Sequence, residues 1–249
     1  VNIFYDTQNV IEAADIFLTM AEKVKGENMD YDLTDCVRQA AVNHAKILLN
    51  NMKQASAARN TAELKRLQNR FLILIDDLDR LLMTRSDFSL YTWTQMARDI
   101  TKEVSGTSNA DKEWLERQAR MLITTWRTNG GTLTDYSNRC WSGILKDYYK
   151  VRWEKFFNGQ APANWFSVEA AWRDNMSIQY TEPVVKEKTY DVAAIVFDKY
   201  FHKILTVGGK SYYINAAIKT TNDKFKDETY LSKEEYKPIL TLPEDVTVV

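Results

Sequence analysis

The chain has 249 residues, 45% hydrophobic and 27% charged, the make-up of an ordinary globular protein long enough to bury a core. A formal net charge of −1 excludes the basic field expected of a nucleic-acid or anionic-membrane binder. No run reaches the ~18 apolar residues that span a bilayer, so neither nucleic acid nor membrane is an expected partner. Eight glycines and four prolines are few for this length, which favours helix, whereas seven tryptophans and thirteen tyrosines are many. The chain opens Val-Asn rather than Met and carries no signal peptide, so it reads as a piece of a longer polypeptide.

In chain order, residues 8–24 place Val10, Ile11, Ala14, Phe17, Leu18 and Ala21 on one helical stripe. The next predicted helix, 30–54, is entered through Asp30 or Asp32 and aligns Leu33, Val37, Ala40, His44, Ile47 and Leu48. Residues 61–83 carry the strongest pattern, with Leu64, Leu67, Phe71, Leu74, Ile75, Leu78, Leu81 and Leu82 at three- and four-residue spacing. A fourth helix, 87–103, takes Ser86 or Asp87 as its cap and carries Leu90, Trp93, Met96, Ala97 and Ile100. The fifth, 110–126, aligns Leu115, Ala119, Leu122, Ile123 and Trp126.

The stretch TTWRTNGGTLTDY (124–136) then breaks the pattern with Gly130 and Gly131 between Trp126 and Tyr136. A sixth, aromatic-rich helix is predicted over 135–157, ending at Asn158-Gly159, where glycine accepts the left-handed conformation. Shorter helices follow at 164–180 and 189–201. Beyond Phe201, Gly208-Gly209 separates two β-favouring runs, a hairpin pattern. The expected architecture is all-α, a bundle-like domain of about seven or eight helices over 1–201, with a small β-containing appendage or tail over 202–249.

The sequence holds no P-loop, GxGxxG, HExxH or GxSxG, and its His and Cys lack metal-ligand spacing, so neither metal nor cofactor is expected. Cys36 and Cys140, both in predicted helices, read as buried free thiols. His44 lies on an apolar stripe and reads as a core or helix-interface histidine, and His202 as a partner for terminal helix carbonyls. Asp76, Asp77 and Asp79 form an acidic cluster in which Asp76 and Asp79 share a face, but Arg80 and the interleaved leucines favour a charged surface or an interhelix ion pair. Trp126 and Tyr136 differ because they bracket a loop, where binding groups collect on rigid scaffolds. Flat rings with nearby Asn and Asp suit carbohydrate, the ring covering the C–H face while polar groups take the hydroxyls. Spacing alone gives helix-end packing a slight edge over this reading.

Three segments carry a resemblance. LILIDDLDRLLMTRSDFSLYTWTQMARDI (72–100), WLERQARMLITTW (114–126) and LTDYSNRCWSGILKDYYKVRWEKFF (133–157) resemble, in order, motifs of the α-N-acetylglucosaminidases of glycoside hydrolase family 89, and YDLTDCVRQAAVN (31–43) matches in type. The likeness covers about residues 1–201. It implies the helical C-terminal domain of a retaining exo-glycosidase that releases terminal α-linked N-acetylglucosamine. Retention uses two carboxylates about 5–5.5 Å apart; in the family both come from a (β/α)₈ barrel that this chain lacks, so no catalytic residue is carried over. The resemblance instead implies that the helical domain packs on the barrel of the same polypeptide and lines one wall of the sugar pocket with Trp126, Leu133 and Tyr136, contacting an N-acetylglucosamine-terminated glycan.

Two departures bear on those positions. The spacing from Trp126 to Tyr136 is one residue longer than the family pattern, and Arg127-Thr128 replaces Gly-Pro after the tryptophan. Family membership also implies a secreted, periplasmic or lysosomal setting. A stand-alone helical module binding glycan or protein without hydrolysis is the alternative from another class. In a purely structural bundle, Trp126 and Tyr136 would be buried against each other.

Overall fold

A computed structural model describes residues 3, 5–127, 134–161, 165–182, 187–207 and 210–215, those from 202 onward by their backbone alone. Eight α-helices account for most of these residues, as the periodicity requires: α1 Thr7–Ala21, α2 Glu27–Ala57, α3 Thr61–Leu82, α4 Leu90–Asp99, α5 Asn109–Leu122, α6 Val151–Phe157, α7 Trp165–Asp174 and α8 Thr189–Tyr200. Two strands, β1 (Phe201–Val207) and β2 (Lys210–Asn215), pair antiparallel with an irregularity between Lys203 and Leu205. Gly208 and Gly209, expected at the turn, lie outside the described residues, as does the chain beyond Asn215. The chain divides into two compact units, residues 1–53 with 188–249, and residues 54–187.

In the first unit, α1 lies against α8 and β2. Ile11, Ala14, Leu18 and Ala21 of α1 are buried, as are Leu33, Val37, Ala40 and Leu48 of α2 and Val192, Ala193, Val196 and Phe197 of α8. The Asp6 carboxylate caps α1 by accepting the Gln8 N–H at 3.0 Å. α2 begins at Glu27, so Asp30 and Asp32 lie within it rather than capping it. His44 is buried, its ring 5.4 Å from that of Tyr200 and 6.1 Å from that of Phe201, which is the core placement its apolar stripe implied. The side chain of His202 lies outside the described residues.

The second unit is organised by α3, whose Leu67, Phe71, Leu74, Ile75, Leu78, Leu81 and Leu82 are buried. Phe71 meets Trp153 edge-on at 5.0 Å and Phe157 at 6.1 Å. Such a ring pair contributes about 0.5–1.5 kcal/mol beyond burial. The predicted helix at 87–103 reaches its expected end but is not one α-helix: α4 covers its middle and a 3₁₀ turn, Ile100–Glu103, completes it. A single 3₁₀ turn, Ser86–Phe88, precedes α4, and Ser89, neither Ser86 nor Asp87, caps it by accepting the Tyr91 N–H at 3.2 Å. α5 opens on a capping box: the Ser108 hydroxyl accepts the Asp111 N–H, and the Asp111 carboxylate accepts the Ser108 N–H at 2.7 Å.

The largest correction falls on the predicted helix at 135–157. Its first nine residues are not helical, because Asp135 has φ 61° and Gly143 φ 87°, and a right-handed helix cannot pass through left-handed residues. Cys140 therefore lies outside any helix, and both cysteines are half-buried rather than buried, with no disulfide between them. Ser142 instead forms a parallel bridge with Ser89: the Leu90 N–H donates to the Ser142 carbonyl at 3.0 Å, and the Ser142 N–H to the Phe88 carbonyl at 2.8 Å. A wide π-turn over Leu145–Lys150 then leads into α6. α7 ends at Asp174, six residues short of the prediction.

Asp79 starts the segment of π-turn and α6 from a distance. Its carboxylate, buried on α3, accepts the Gly143 N–H at 2.7 Å, as an N-cap does from within the same segment. Asp76 pairs across to Lys150 at 2.7 Å, the interhelix ion pair expected for the acidic cluster. The surface reading thus holds for Asp76 and fails for Asp79, which faces the core. Gly143 is tightly enclosed as well as left-handed: a Cβ there would lie 3.1 Å from the Tyr180 ring and 3.3 Å from Leu90, so those neighbours would have to shift by a few tenths of an ångström.

Candidate functional site

The loop between α5 and the π-turn carries the predicted ring pair, and it is held from below by buried charge. α5 ends when the Trp126 N–H donates to the Met121 carbonyl at 2.8 Å, with Trp126 itself at φ 59°. A bulky residue in that region is strained by about 1–2 kcal/mol, and the strain persists because neighbouring contacts fix it. The return of the loop is pinned where the Asp135 N–H donates to the Thr124 carbonyl at 2.7 Å. Asp135 is also left-handed, a conformation that Asp tolerates better than most residues.

Two arginines clamp the loop base. Arg152 of α6 donates to the Asp135 carboxylate at 2.6 Å and to Glu169 of α7 at 2.7 Å. The rings of Tyr148, Tyr149 and Trp165 surround its guanidinium at 5.1–5.3 Å. Burial works against the charge on Arg152, but Asp135 and the Glu169 hydrogen bond outweigh it, so the guanidinium titrates above its ordinary value. Burial raises the Tyr148 and Tyr149 hydroxyls as well, so both stay protonated. Arg173 of α7, 5% exposed, donates to the Thr125 hydroxyl at 3.2 Å and the Arg127 carbonyl at 3.0 Å, and is itself paired with Asp174.

One layer further in, Arg120 of α5 is fully buried. It pairs with Glu116 and donates to the carbonyls of Asn175 at 3.0 Å and Ile178 at 2.7 Å, with Trp172 and Tyr180 stacked 5.2 and 5.1 Å away. Leu90, Ile123, Ile144, Tyr148 and Trp172 close the apolar cluster around this layer. The loop therefore stands on a packed, charge-paired platform rather than on solvent-exposed helix ends.

On that platform Trp126 and Tyr136 meet edge-to-face, ring centroids 5.4 Å apart at 62°. Trp126 is half-buried, whereas Tyr136 is 71% exposed. The pair thus packs, as spacing favoured, yet presents one ring outward, unlike the mutual burial of a purely structural bundle. Leu133, the third predicted wall residue, lies outside the described residues with Gly130 and Gly131. The Asp135 carboxylate accepts from Arg152 and from the Tyr148 hydroxyl at 3.3 Å, so the described residues of this loop offer shape and an aromatic face rather than an available carboxylate. No cluster of three or more His, Cys, Asp or Glu able to hold a metal occurs among the described residues. No helix there is long and apolar enough to cross a membrane.

Sequence reasoning missed the supporting residues, Asp135, Arg152, Glu169 and Arg173. One signal was available: Glu116 and Arg120 fall four apart on the buried face of α5 beside Ala119 and Ile123, and charges on an apolar stripe announce a buried pair. The others come together only through tertiary contacts among three helices and a loop.

Comparison with known proteins identifies the family of the helical fold. Residues 1–199 match the family model described as the Alpha-N-acetylglucosaminidase (NAGLU) C-terminal domain. The chain is 27% identical over 216 residues to the alpha-N-acetylglucosaminidase of Homo sapiens, a match covering 80% of this chain and 28% of that protein. Among solved structures it is similar to the Family 89 glycoside hydrolase from Clostridium perfringens in complex with PUGNAc, at 31% identity and a TM-score of 0.71, covering 80% of this chain and 24% of that one. The structure of that organism's enzyme with its substrate GlcNAc-alpha-1,4-galactose gives 31% identity, a TM-score of 0.70 and the same coverage. The chain thus spans about a quarter of the length of these relatives. With the family model matched across most of the chain and the helical fold shared, the protein belongs to the C-terminal domain family of the α-N-acetylglucosaminidases of glycoside hydrolase family 89.

Proposed function

We propose that this chain is the helical domain of a retaining exo-α-N-acetylglucosaminidase, packing on a catalytic barrel of the same polypeptide and lining one wall of its N-acetylglucosamine pocket. The observation that carries the reading is the Trp126–Tyr136 pair, a strained and clamped edge-to-face contact that leaves Tyr136 outward. A ring held in that way covers the apolar face of a sugar at little entropic cost, because its own freedom is already lost. Leu133 belongs to the same wall in this reading. The wall orients the sugar and excludes water, taking no proton itself. Substrate is a glycan ending in α-linked N-acetylglucosamine, met in a secreted, periplasmic or lysosomal setting.

The domain boundary at 201/202 is part of the proposal, supported by the family match, which stops at residue 199. In this reading 202–249 is an appendage to the helical domain. The two catalytic carboxylates sit on the barrel, so the 249-residue chain alone hydrolyses no aryl α-N-acetylglucosaminide. Turnover by the purified chain overturns the assignment. The coding sequence upstream of Val1 separates the enzyme from a stand-alone glycan- or protein-binding module: alternating strand and helix patterns of a (β/α)₈ barrel support the enzyme, and an unrelated domain or a stop codon supports the module.

A further inference from the structure

Of the seven tryptophans, Trp114 alone is exposed, at 55%. It stands on α5 in line with Arg117, Gln118 and Met121, the three- and four-residue spacing that puts side chains on one helix face. Arg173 and Asp174 at the end of α7 close the opposite side, and the six residues line a cleft of about 490 Å³. The opposite face of α5 holds Glu116, Ala119 and Arg120, all buried, so this helix has separate packing and cleft faces.

One polar group beside Trp114, the Arg117 guanidinium, retains hydrogen-bonding capacity. The Arg117 Nε is buried and makes no hydrogen bond among the described residues; it forms an ion pair with Asp174 Oδ1 at 3.5 Å. A donor in that position is costly unless something accepts from it. Hydrogen bonds from Arg173, with Arg117 adding to them, hold the Asp174 carboxyl below its ordinary range, so it stays an anionic acceptor. An exposed indole plane flanked by a guanidinium, a carboxamide and a carboxylate is the combination that recognises a pyranose: C–H groups on the ring face, hydroxyls on the donors and acceptors.

The cleft is also tied to the ring-bearing loop. Met121 lines it and accepts the Trp126 N–H through its carbonyl, while Arg173 lines it and holds the Arg127 carbonyl. The upper rim, at Met121, lies five residues before Trp126, and Trp114 lies about 10 Å further along α5 at 1.5 Å per residue. We propose that the cleft between α5 and α7, floored by Trp114, is a second saccharide site that takes a pyranose ring of the glycan beyond its terminal residue. The glycan as ligand comes from the pocket-wall reading, on which this inference rests; the site itself stands on the cleft.

The test uses the 249-residue chain and the disaccharide GlcNAc-α-1,4-galactose, followed by calorimetry and by tryptophan fluorescence. Saturable binding is expected at millimolar sugar, weakened at least tenfold by Trp114→Ala and by Gln118→Ala and retained by Trp114→Phe, with thermal midpoints unchanged because both residues lie on the cleft face. Tyr136→Ala is expected to weaken this binding less than Trp114→Ala does, because the cleft holds the ring beyond the terminal residue. Binding that survives Trp114→Ala, or that is lost only with Tyr136→Ala, overturns the cleft assignment, and so does the absence of saturable binding to the parent chain. Failure of the pocket-wall reading appears elsewhere, in turnover of the full enzyme.

Discussion

Asp79 makes the stability of the helical fold depend on pH with an unusual sign. The carboxyl is 4% exposed, and it lines a cleft of about 470 Å³ with Lys146, Asp147 and Tyr180. Burial pushes it from 3.8 up to about 6; the Gly143 and Lys146 backbone hydrogen bonds and the Lys146 charge pull it down, and Asp147 adds to the rise. Between these two values the folded state holds a proton that the unfolded chain has released. Ionised Asp79 therefore costs stability at neutral pH, the cost begins to lessen as pH falls through about 6, and the full gain is present below 3.8. The shift corresponds to about 3 kcal/mol at 1.36 kcal/mol per pH unit. Asp79→Asn keeps an oxygen for the Gly143 N–H but cannot titrate. Urea denaturation of parent and variant from pH 7.5 to 4 is the assay. The parent is expected to gain about 2–3 kcal/mol on the variant as pH falls, which cancels the contribution of every other carboxyl. A difference that stays constant over that range refutes the reasoning.

Three further outcomes follow from the loop and its supports. Arg152→Met leaves the Asp135 and Glu169 carboxylates facing each other without their cation, and is expected to cost about 3–5 kcal/mol in chemical denaturation; a loss below 1 kcal/mol contradicts the clamp. Gly143→Ala meets both the Tyr180 ring and a left-handed backbone, and is expected to lower stability by about 1–3 kcal/mol; an unchanged thermal midpoint argues against the tight fit. Trp126→Gly removes backbone strain together with the ring, so its stability is expected to exceed that of Trp126→Ala by about 1 kcal/mol. Equal midpoints for the two variants contradict the strain.

What the sequence revealed follows from the range of the interactions involved. α1, α3 and α5 were legible because their apolar stripes repeat within the helix, and the α5–loop break showed in its glycines and in the change of period. The false helix over 135–143 arose because Tyr136, Cys140 and Trp141 also fall at helical spacing, while the features that forbid helix there are long-range: the Asp135–Thr124 hydrogen bond, the Ser89–Ser142 bridge and the cap from Asp79, 64 residues earlier. Asp79 itself resembled its surface neighbours Asp76 and Arg80, and only the partner it meets across the fold distinguishes it. Trp126 and Tyr136 were legible as a bracketed pair, but their edge-to-face contact and the exposure of Tyr136 depend on Arg152 and Arg173, which carry no local signature.

The pocket wall is tested most directly by kinetics of the full-length enzyme bearing Trp126→Ala or Tyr136→Ala, on a substrate with terminal α-linked N-acetylglucosamine. A wall that touches the sugar predicts that kcat/KM falls by about 10- to 100-fold in each variant, equivalent to 1.4–2.8 kcal/mol of lost transition-state stabilisation, with the fold intact by circular dichroism. Parental kcat and KM in both variants contradict the account.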